Sequence, residues 1–252
     1  MALALVAYQL TEAKLAKWRL FVERSGMENV AVVVVENDTN STKPESWPSD
    51  KHWHYVRGSN QYFEFSGYQE ALSELEWQQT PGEIESFFLF NDTLFTHHSA
   101  RNWARILRET KWTPGIHGDR REEPVELAGK PLRIFASWHF ALVGKEGIDL
   151  FQCHLKKALA LFDESITGEA YQSYLENYLQ GSWLRGYTDP KGIIQNKDLQ
   201  RKKHCIYAEH RMGRWLEEQG YWKSHPSAHY AYTRTVDRFL ALRRRILKRL
   251  DL

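Results

Sequence analysis

The chain has 252 residues, enough for one large α/β domain or one domain with a helical extension. At 42% hydrophobic and 26% charged, with a formal net charge of +2, it has an ordinary soluble globular composition; the near-neutral charge argues against a nucleic-acid binder, and no run nears the roughly 20 apolar residues of a membrane span. Cys153 and Cys205 stand far apart with no CxxC, which fits reduced thiols in a cytoplasmic protein rather than a disulfide framework or a zinc site, and apolar Met1 to Tyr8 lacks the basic leader of a secretory signal.

Residues 2–8 (ALALVAY) predict a short buried strand. Residues 11–25 predict a helix, with Thr11 as N-cap, Leu15, Trp18, Phe21 and Val22 at helical spacing, and Gly26 as the stop. Residues 30–35 (VAVVVV) are apolar throughout, as in a parallel strand buried on both faces. Strand, helix and strand in this order form a βαβ unit, with a right-handed crossover expected. Residues 36–50 read as a polar loop, 54–57 as a short strand, 67–78 as a helix carrying Leu72 and Leu75, and 86–90 (SFFLF) as another buried strand. A helix at about 98–110, an exposed charged loop over 113–131 and a strand over 132–143 follow. Beyond residue 145 the pattern is nearly all helical, over 147–162, 168–180, 197–219 and 228–250. The expected organisation is an α/β half, 1–145, and a helical half, 146–252, that fold together.

Three segments offer chemistry. Phe87 to Phe90 delivers Asn91-Asp92-Thr93 to the carboxyl end of a buried strand, where open α/β sheets bind ligands. A carboxylate there holds Mg²⁺ or Mn²⁺ on a diphosphate, or simply caps the next turn. Strand 30–35 ends in Glu36-Asn37-Asp38, acceptors for a base or ribose, or a solvated loop. Arg57-Gly58-Ser59-Asn60, and then Gly67, allow a ligand to approach the backbone closely. The histidine pairs His52/His54 and His97/His98 lack the spacing of a zinc site.

Taken in order, these segments resemble the GT-A glycosyltransferases. The likeness is to family-2-like enzymes of bacterial polysaccharide assembly, and among them to the rhamnan-synthesis type. It spans roughly residues 2–222. Ala7-Tyr8 matches the turn after the first strand, and Glu36 and Asp38 match the acidic residues that hold the nucleobase. Asn60 and Gly67 match the Asn-x-Gly stretch, with Arg57 beside it. Asn91-Asp92-Thr93 takes the place of the metal-binding motif, and Ser137-Trp138-His139-Phe140 that of the acceptor-side strand. The helix around Ala208-Glu209-His210-Arg211-Met212, ending at Gly220-Tyr221, matches the one that carries the catalytic carboxylate. The resemblance implies a GT-A-like (Rossmann-like) α/β fold with a mixed, mostly parallel sheet and a helical C-terminal half. It further implies donor contacts from Tyr8, Glu36, Asp38, Arg57, Asn60, Asn91 and Asp92, acceptor contacts from Trp138 and His139, and Mg²⁺ or Mn²⁺ on Asp92. The chain departs from the family in carrying one carboxylate where Asp-x-Asp is usual, and in lacking the immediate glycine of Asn-x-Gly.

Inverting sugar transfer needs a carboxylate to take the acceptor hydroxyl proton. Glu209 matches the family's helix glutamate and has apolar neighbours at helical spacing, Cys205, Ile206 and Met212. Its alternative is a surface glutamate paired with Arg211 or Arg214. Asp189, in Gly186-Tyr187-Thr188-Asp189-Pro190, is the second choice of base, with a turn aspartate as its alternative. The segment from Val236 to Leu250 alternates apolar residues with Arg243, Arg244, Arg245, Lys248 and Arg249. It suits either a helix lying on the inner face of the membrane or one packed on the core. The expected activity is transfer from a nucleotide-sugar donor to a saccharide or lipid-linked acceptor. The alternatives are an inactive glycosyltransferase-like assembly partner and, against the charge, a nucleic-acid-binding module.

Overall fold

A strand with no polar face must be covered on both sides, and β1 (Ala2–Ala7) is such a strand. The computed structural model describes residues 1–27, 29–78, 84–96, 100–118, 120–127, 129–135, 137, 139–160, 169–179 and 196–224. In it, Ala2, Ala4 and Val6 enter one hydrophobic cluster, and Leu3, Leu5 and Ala7 enter another on the opposite face. The same alternation divides β2 (Ala31–Glu36) and β4 (Ser86–Asn91): Val33, Val35, Phe87 and Leu89 face one way, and Val32, Val34, Phe88 and Phe90 the other. Full burial of one such side chain contributes roughly 1.5–3 kcal/mol.

Among the described residues, seven strands form the central sheet in the order β3-β2-β1-β4-β8-β5-β9, with β3 at Trp53–Arg57, β5 at Gly115–Gly118, β8 at His139–Val143 and β9 at Trp222–Ser224. Only β8 runs against its neighbours; the pairs β1–β2, β2–β3, β1–β4 and β5–β9 are parallel. One face is covered by α2 (Glu64–Gln78), α5 (Lys145–Ala160) and α7 (Asn196–Glu218), through Tyr68, Leu72, Phe151, Leu155, Ala208 and Met212. The other is covered by α1 (Glu12–Ser25) and α4 (Ala100–Glu109), through Leu15, Trp18, Phe21 and Trp103. A short α3 (Thr93–Thr96) follows β4. The chain is thus an α/β protein with a mixed, mostly parallel sheet. No helix among the described residues is long and apolar enough to cross a membrane.

The second half of the chain departs from its expected pattern. Residues 113–131 are not one exposed loop: they contain β5 and β6 (Arg120–Leu127). β5 reads Gly-Ile-His-Gly, too short and too poor in side chains to register as a strand, yet Gly118 leaves the space that Trp222 of β9 fills, since a Cβ there would stand 2.7 Å from the indole. The expected strand 132–143 is two strands. β7 (Lys130–Phe135) pairs with β6 in a separate ribbon, and β8 joins the main sheet after a turn at Ser137. The ribbon's register shifts between Glu122 and Glu126, the interval that holds Pro124, which has no N–H for a ladder. Leu132 of the ribbon packs with Tyr171 and Leu175 of α6 (Glu169–Tyr178) and with Ile206 and Tyr207 of α7. In the gap between the expected helices 197–219 and 228–250, β9 returns to the sheet beside β5 and joins the two halves of the chain by hydrogen bonds. The proposed C-terminal helix, together with Trp138, Asp189, His97 and His98, lies outside the described residues.

Two glycines read as ligand-approach points are instead packing points. α2 begins at Glu64, so Gly67 lies within the helix, and a Cβ on it would stand 2.6 and 2.8 Å from the two methyls of Val6. At Gly58 a Cβ would stand 2.2 Å from Asn37 Oδ1 and 2.8 Å from Val35. Overpacking of this kind costs about 1–3 kcal/mol. Gly67→Ala is therefore expected to lower the thermal midpoint by several degrees; an unchanged midpoint would show that α2 shifts freely on β1.

Burial depresses the pKa of His54, His117, His154 and His204 below the ordinary histidine value. For His117 the nearby Lys223 adds to the effect, and its hydrogen bond to the Thr113 carbonyl opposes it. A depressed histidine stays neutral in the fold while the unfolded chain takes up its proton. These four therefore contribute stability that is complete above about pH 6.5 and is lost as pH falls below it, through the folded values. Calorimetric melting at about pH 7.5 and about pH 5.5 should give the lower midpoint at the acid end; an equal or higher one there would contradict the assignment.

Candidate functional site

The chain runs outward from β1 to β2 and β3, then returns to place β4 on the other side of β1. That reversal leaves a crevice beyond the carboxyl ends of β1 and β4, where open α/β sheets take ligands. Val6 of β1 lies opposite Asn91 of β4, and the Asp92 N–H continues the pairing to the Val6 carbonyl at 3.1 Å. Tyr8 and Asp92 thus emerge side by side.

Asp92 is the centre of this edge. Its Oδ2 accepts the Tyr8 N–H at 3.3 Å and the Lys14 ammonium at 2.9 Å. Lys14, in the first turn of α1, also donates to the Tyr8 carbonyl. Both side chains of the ion pair remain partly open, at 33% and 27% exposure. Tyr8 is 44% exposed beside them. Gln9, next in the chain, has φ 58°, an uncommon conformation for a long side chain.

The carboxylate of Glu36 explains why that conformation holds. Glu36 is fully buried at the end of β2 and accepts the N–H groups of Gln9 at 3.1 Å, Leu10, and Asp38 at 2.7 Å. Asp38 in turn accepts the Asn40 N–H at 2.9 Å. Arg57 donates to the Thr39 and Ser41 carbonyls at 2.7 and 3.1 Å. Glu36, expected to grip a nucleobase, therefore holds the loop after β1, while Asp38 stays partly open and Arg57 exposed beside it. Asn37 belongs with them, buried and donating to the Phe63 carbonyl at 2.8 Å. Asn60 is buried with φ 50°, a conformation asparagine tolerates, and its Oδ1 has no hydrogen-bond partner among the described residues. Asn91 is buried too, and its Oδ1 accepts the Thr93 N–H at 3.0 Å, which caps α3. His139 does not face an acceptor. It is fully buried, tilted against Trp103 with ring centroids 4.4 Å apart.

Hydrogen bonds tie α2 to the turn before β8. Glu64 accepts the Ser137 hydroxyl at 2.7 Å, and the Tyr68 hydroxyl donates to the Ser137 carbonyl at 2.8 Å. Burial pushes the Tyr68 phenol well up, and the carboxylates of Glu64, Asp92 and Glu209 push it the same way. Tyr68 thereby stands within electrostatic reach of Asp92 on the sheet and Glu209 on α7. Lys202, Cys205 and Glu209 recur at spacings of three and four, which puts them on one side of α7. Burial would lower the Lys202 pKa, but the negative charges of Glu64 and Glu209 outweigh it and hold the ammonium protonated. Burial, and then Glu64, raise the Cys205 thiol well above its usual value, so it is not a nucleophile.

Of the residues chosen from the sequence, Tyr8 and Asp92 are brought together, and Glu209 lies on α7, where its charge, like that of Asp92, acts on the buried Tyr68. Sequence reading missed Lys14, Glu64, Tyr68 and Lys202. The signals were modest: Lys14 three residues after the Thr11 cap, Glu64 and Tyr68 one helical turn apart, and the 202/205/209 spacing. A separate polar groove of about 610 Å³ runs along the outside of α2, past Ser59, Gln69, Ser73 and Glu74, and includes neither Asp92 nor Glu209. Compared with known proteins, the chain matches no family model and no curated protein at a significant level, so its function must be read from the crevice itself.

Proposed function

We propose that the chain is a glycosyltransferase of GT-A type, moving a sugar from a nucleotide-sugar donor to a saccharide or lipid-linked acceptor in surface polysaccharide assembly, with inversion. The observation that carries this reading is the place of Asp92, beside Tyr8 and Lys14 at the carboxyl ends of β4 and β1, at the sheet's switch point. The mixed, mostly parallel sheet agrees with it. In this reading the donor diphosphate lies along the strand ends at Tyr8 and Asp92, and the acceptor enters from the α7 side. Glu209 takes the proton of the attacking hydroxyl. The new bond forms at the anomeric carbon while its bond to the phosphate oxygen breaks, and the electron pair leaves with the nucleoside diphosphate. Tyr68, kept neutral, donates to Ser137 and holds the turn before β8 against α2.

A thermal-shift screen against UDP, GDP, CDP and dTDP, each with and without Mn²⁺, tests the donor site. One nucleotide is expected to raise the melting temperature in proportion to the logarithm of its concentration. A chain that responds to none of them is not a nucleotide-sugar transferase. A response without any sugar transfer to saccharide acceptors would identify the inactive assembly partner instead.

A further inference from the structure

We propose that Lys14, not a divalent cation, supplies the positive charge for the donor diphosphate, so that the chain binds nucleoside diphosphates without metal. This inference rests on the glycosyltransferase reading and names the group that faces the leaving phosphates.

Mg²⁺ and Mn²⁺ take about six oxygen ligands, and in phosphate sites the protein offers one or two carboxylates with lone pairs turned toward the metal. The residues at this edge do not fit that demand. Asp92 is the one carboxylate of the Asn91-Asp92-Thr93 turn, and its Oδ2 already accepts an ammonium at 2.9 Å and a backbone N–H at 3.3 Å. Asn91, the second candidate ligand, is 7% exposed and gives its Oδ1 to the Thr93 N–H. Among the described residues no group of three or more His, Cys, Asp or Glu is placed to hold a metal ion.

What occupies the cation's place is Lys14 itself. Its ammonium bridges Asp92 Oδ2 and the Tyr8 carbonyl, the two groups that end β4 and β1 at the switch point. An ammonium has three protons, and these contacts use two of them. Among the described residues the third has no acceptor, which leaves it to a phosphate oxygen, and the side chain is 33% exposed, so an anion can reach it. Lysine acts on phosphate as a compact point charge, which is what a departing diphosphate requires as its negative charge grows. No proton moves in this step: the electron pair of the breaking C–O bond comes to rest on a phosphate oxygen beside the ammonium. Asp92 is then a positioning residue, holding Lys14 over the crevice.

The test is calorimetric titration of UDP, GDP, CDP and dTDP into the full chain, in EDTA and in Mn²⁺, for the wild type, Lys14→Met and Lys14→Arg. The wild type is expected to bind one of the four in EDTA with an affinity that Mn²⁺ leaves unchanged. Lys14→Met should weaken that binding roughly tenfold or more, the worth of one charge-assisted hydrogen bond, and Lys14→Arg should restore most of it. Wild-type binding that tightens roughly tenfold or more on adding Mn²⁺ overturns the inference and leaves the glycosyltransferase reading standing. Binding by Lys14→Met equal to that of the wild type does the same. Absence of binding to all four nucleotides, with and without Mn²⁺, overturns both. The wild-type comparison decides the matter even where Lys14→Met fails to fold.

Discussion

Glu209→Gln is expected to lower the transfer rate by about 10²–10⁴-fold while nucleoside diphosphate affinity stays the same, because the general base touches the acceptor hydroxyl and not the phosphates. Glutamine keeps the size and a carbonyl acceptor but cannot take a proton. Glu209 stands on the side of α7 that carries Lys202 and Cys205, where its charge acts on Tyr68. Initial rates and calorimetry on the same preparation decide the matter. A normal rate would move the base to Asp189, and loss of both rate and binding would make Glu209 a structural or donor-holding residue.

Asp92→Asn is expected to cut turnover by about 10²–10³-fold and to raise the donor KM, the second effect distinguishing it from Glu209→Gln. The amide can still accept the Tyr8 N–H, so the strand ends stay together. What is lost is the charge that holds the Lys14 ammonium over the crevice. Stability should barely change, since a partly exposed ion pair of this kind is worth about 0–1 kcal/mol. Steady-state kinetics and a melting curve measure both quantities. Near-normal turnover would place the donor elsewhere on the chain, and a large drop in melting temperature would make Asp92 a structural residue.

Several parts of the architecture were legible in the residues alone, for a shared reason. β1, β2 and β4 are continuous apolar runs, α1 has a cap and a buried stripe, and each signal lies within one short stretch of chain. Local energetics decide such elements, so local patterns reveal them. The placement of Asp92 at the end of a buried strand followed from the same logic.

Long-range contacts governed everything the sequence obscured. β5 is a strand because it lies between β8 and β9, β9 because it meets β5, and Gly118 is informative only once Trp222 is known to fill its space. The stretch 132–143 reads as one strand, yet its halves belong to different sheets, a division made by which partner each half finds. Glu36 could have faced a ligand on sequence grounds; burial against the N–H groups of Gln9, Leu10 and Asp38 turned it into a loop-holding acceptor. The Lys14–Asp92 pair joins residues 78 apart in the chain, and Glu64 meets Ser137 across 73. The sequence by itself determined the α/β class, the buried strands and the carboxylate at the end of β4, because apolar periodicity is a property of neighbouring residues. Tertiary structure alone decided which polar groups surround that carboxylate, because a hydrogen bond or an ion pair depends on distance in space and leaves no period in the chain.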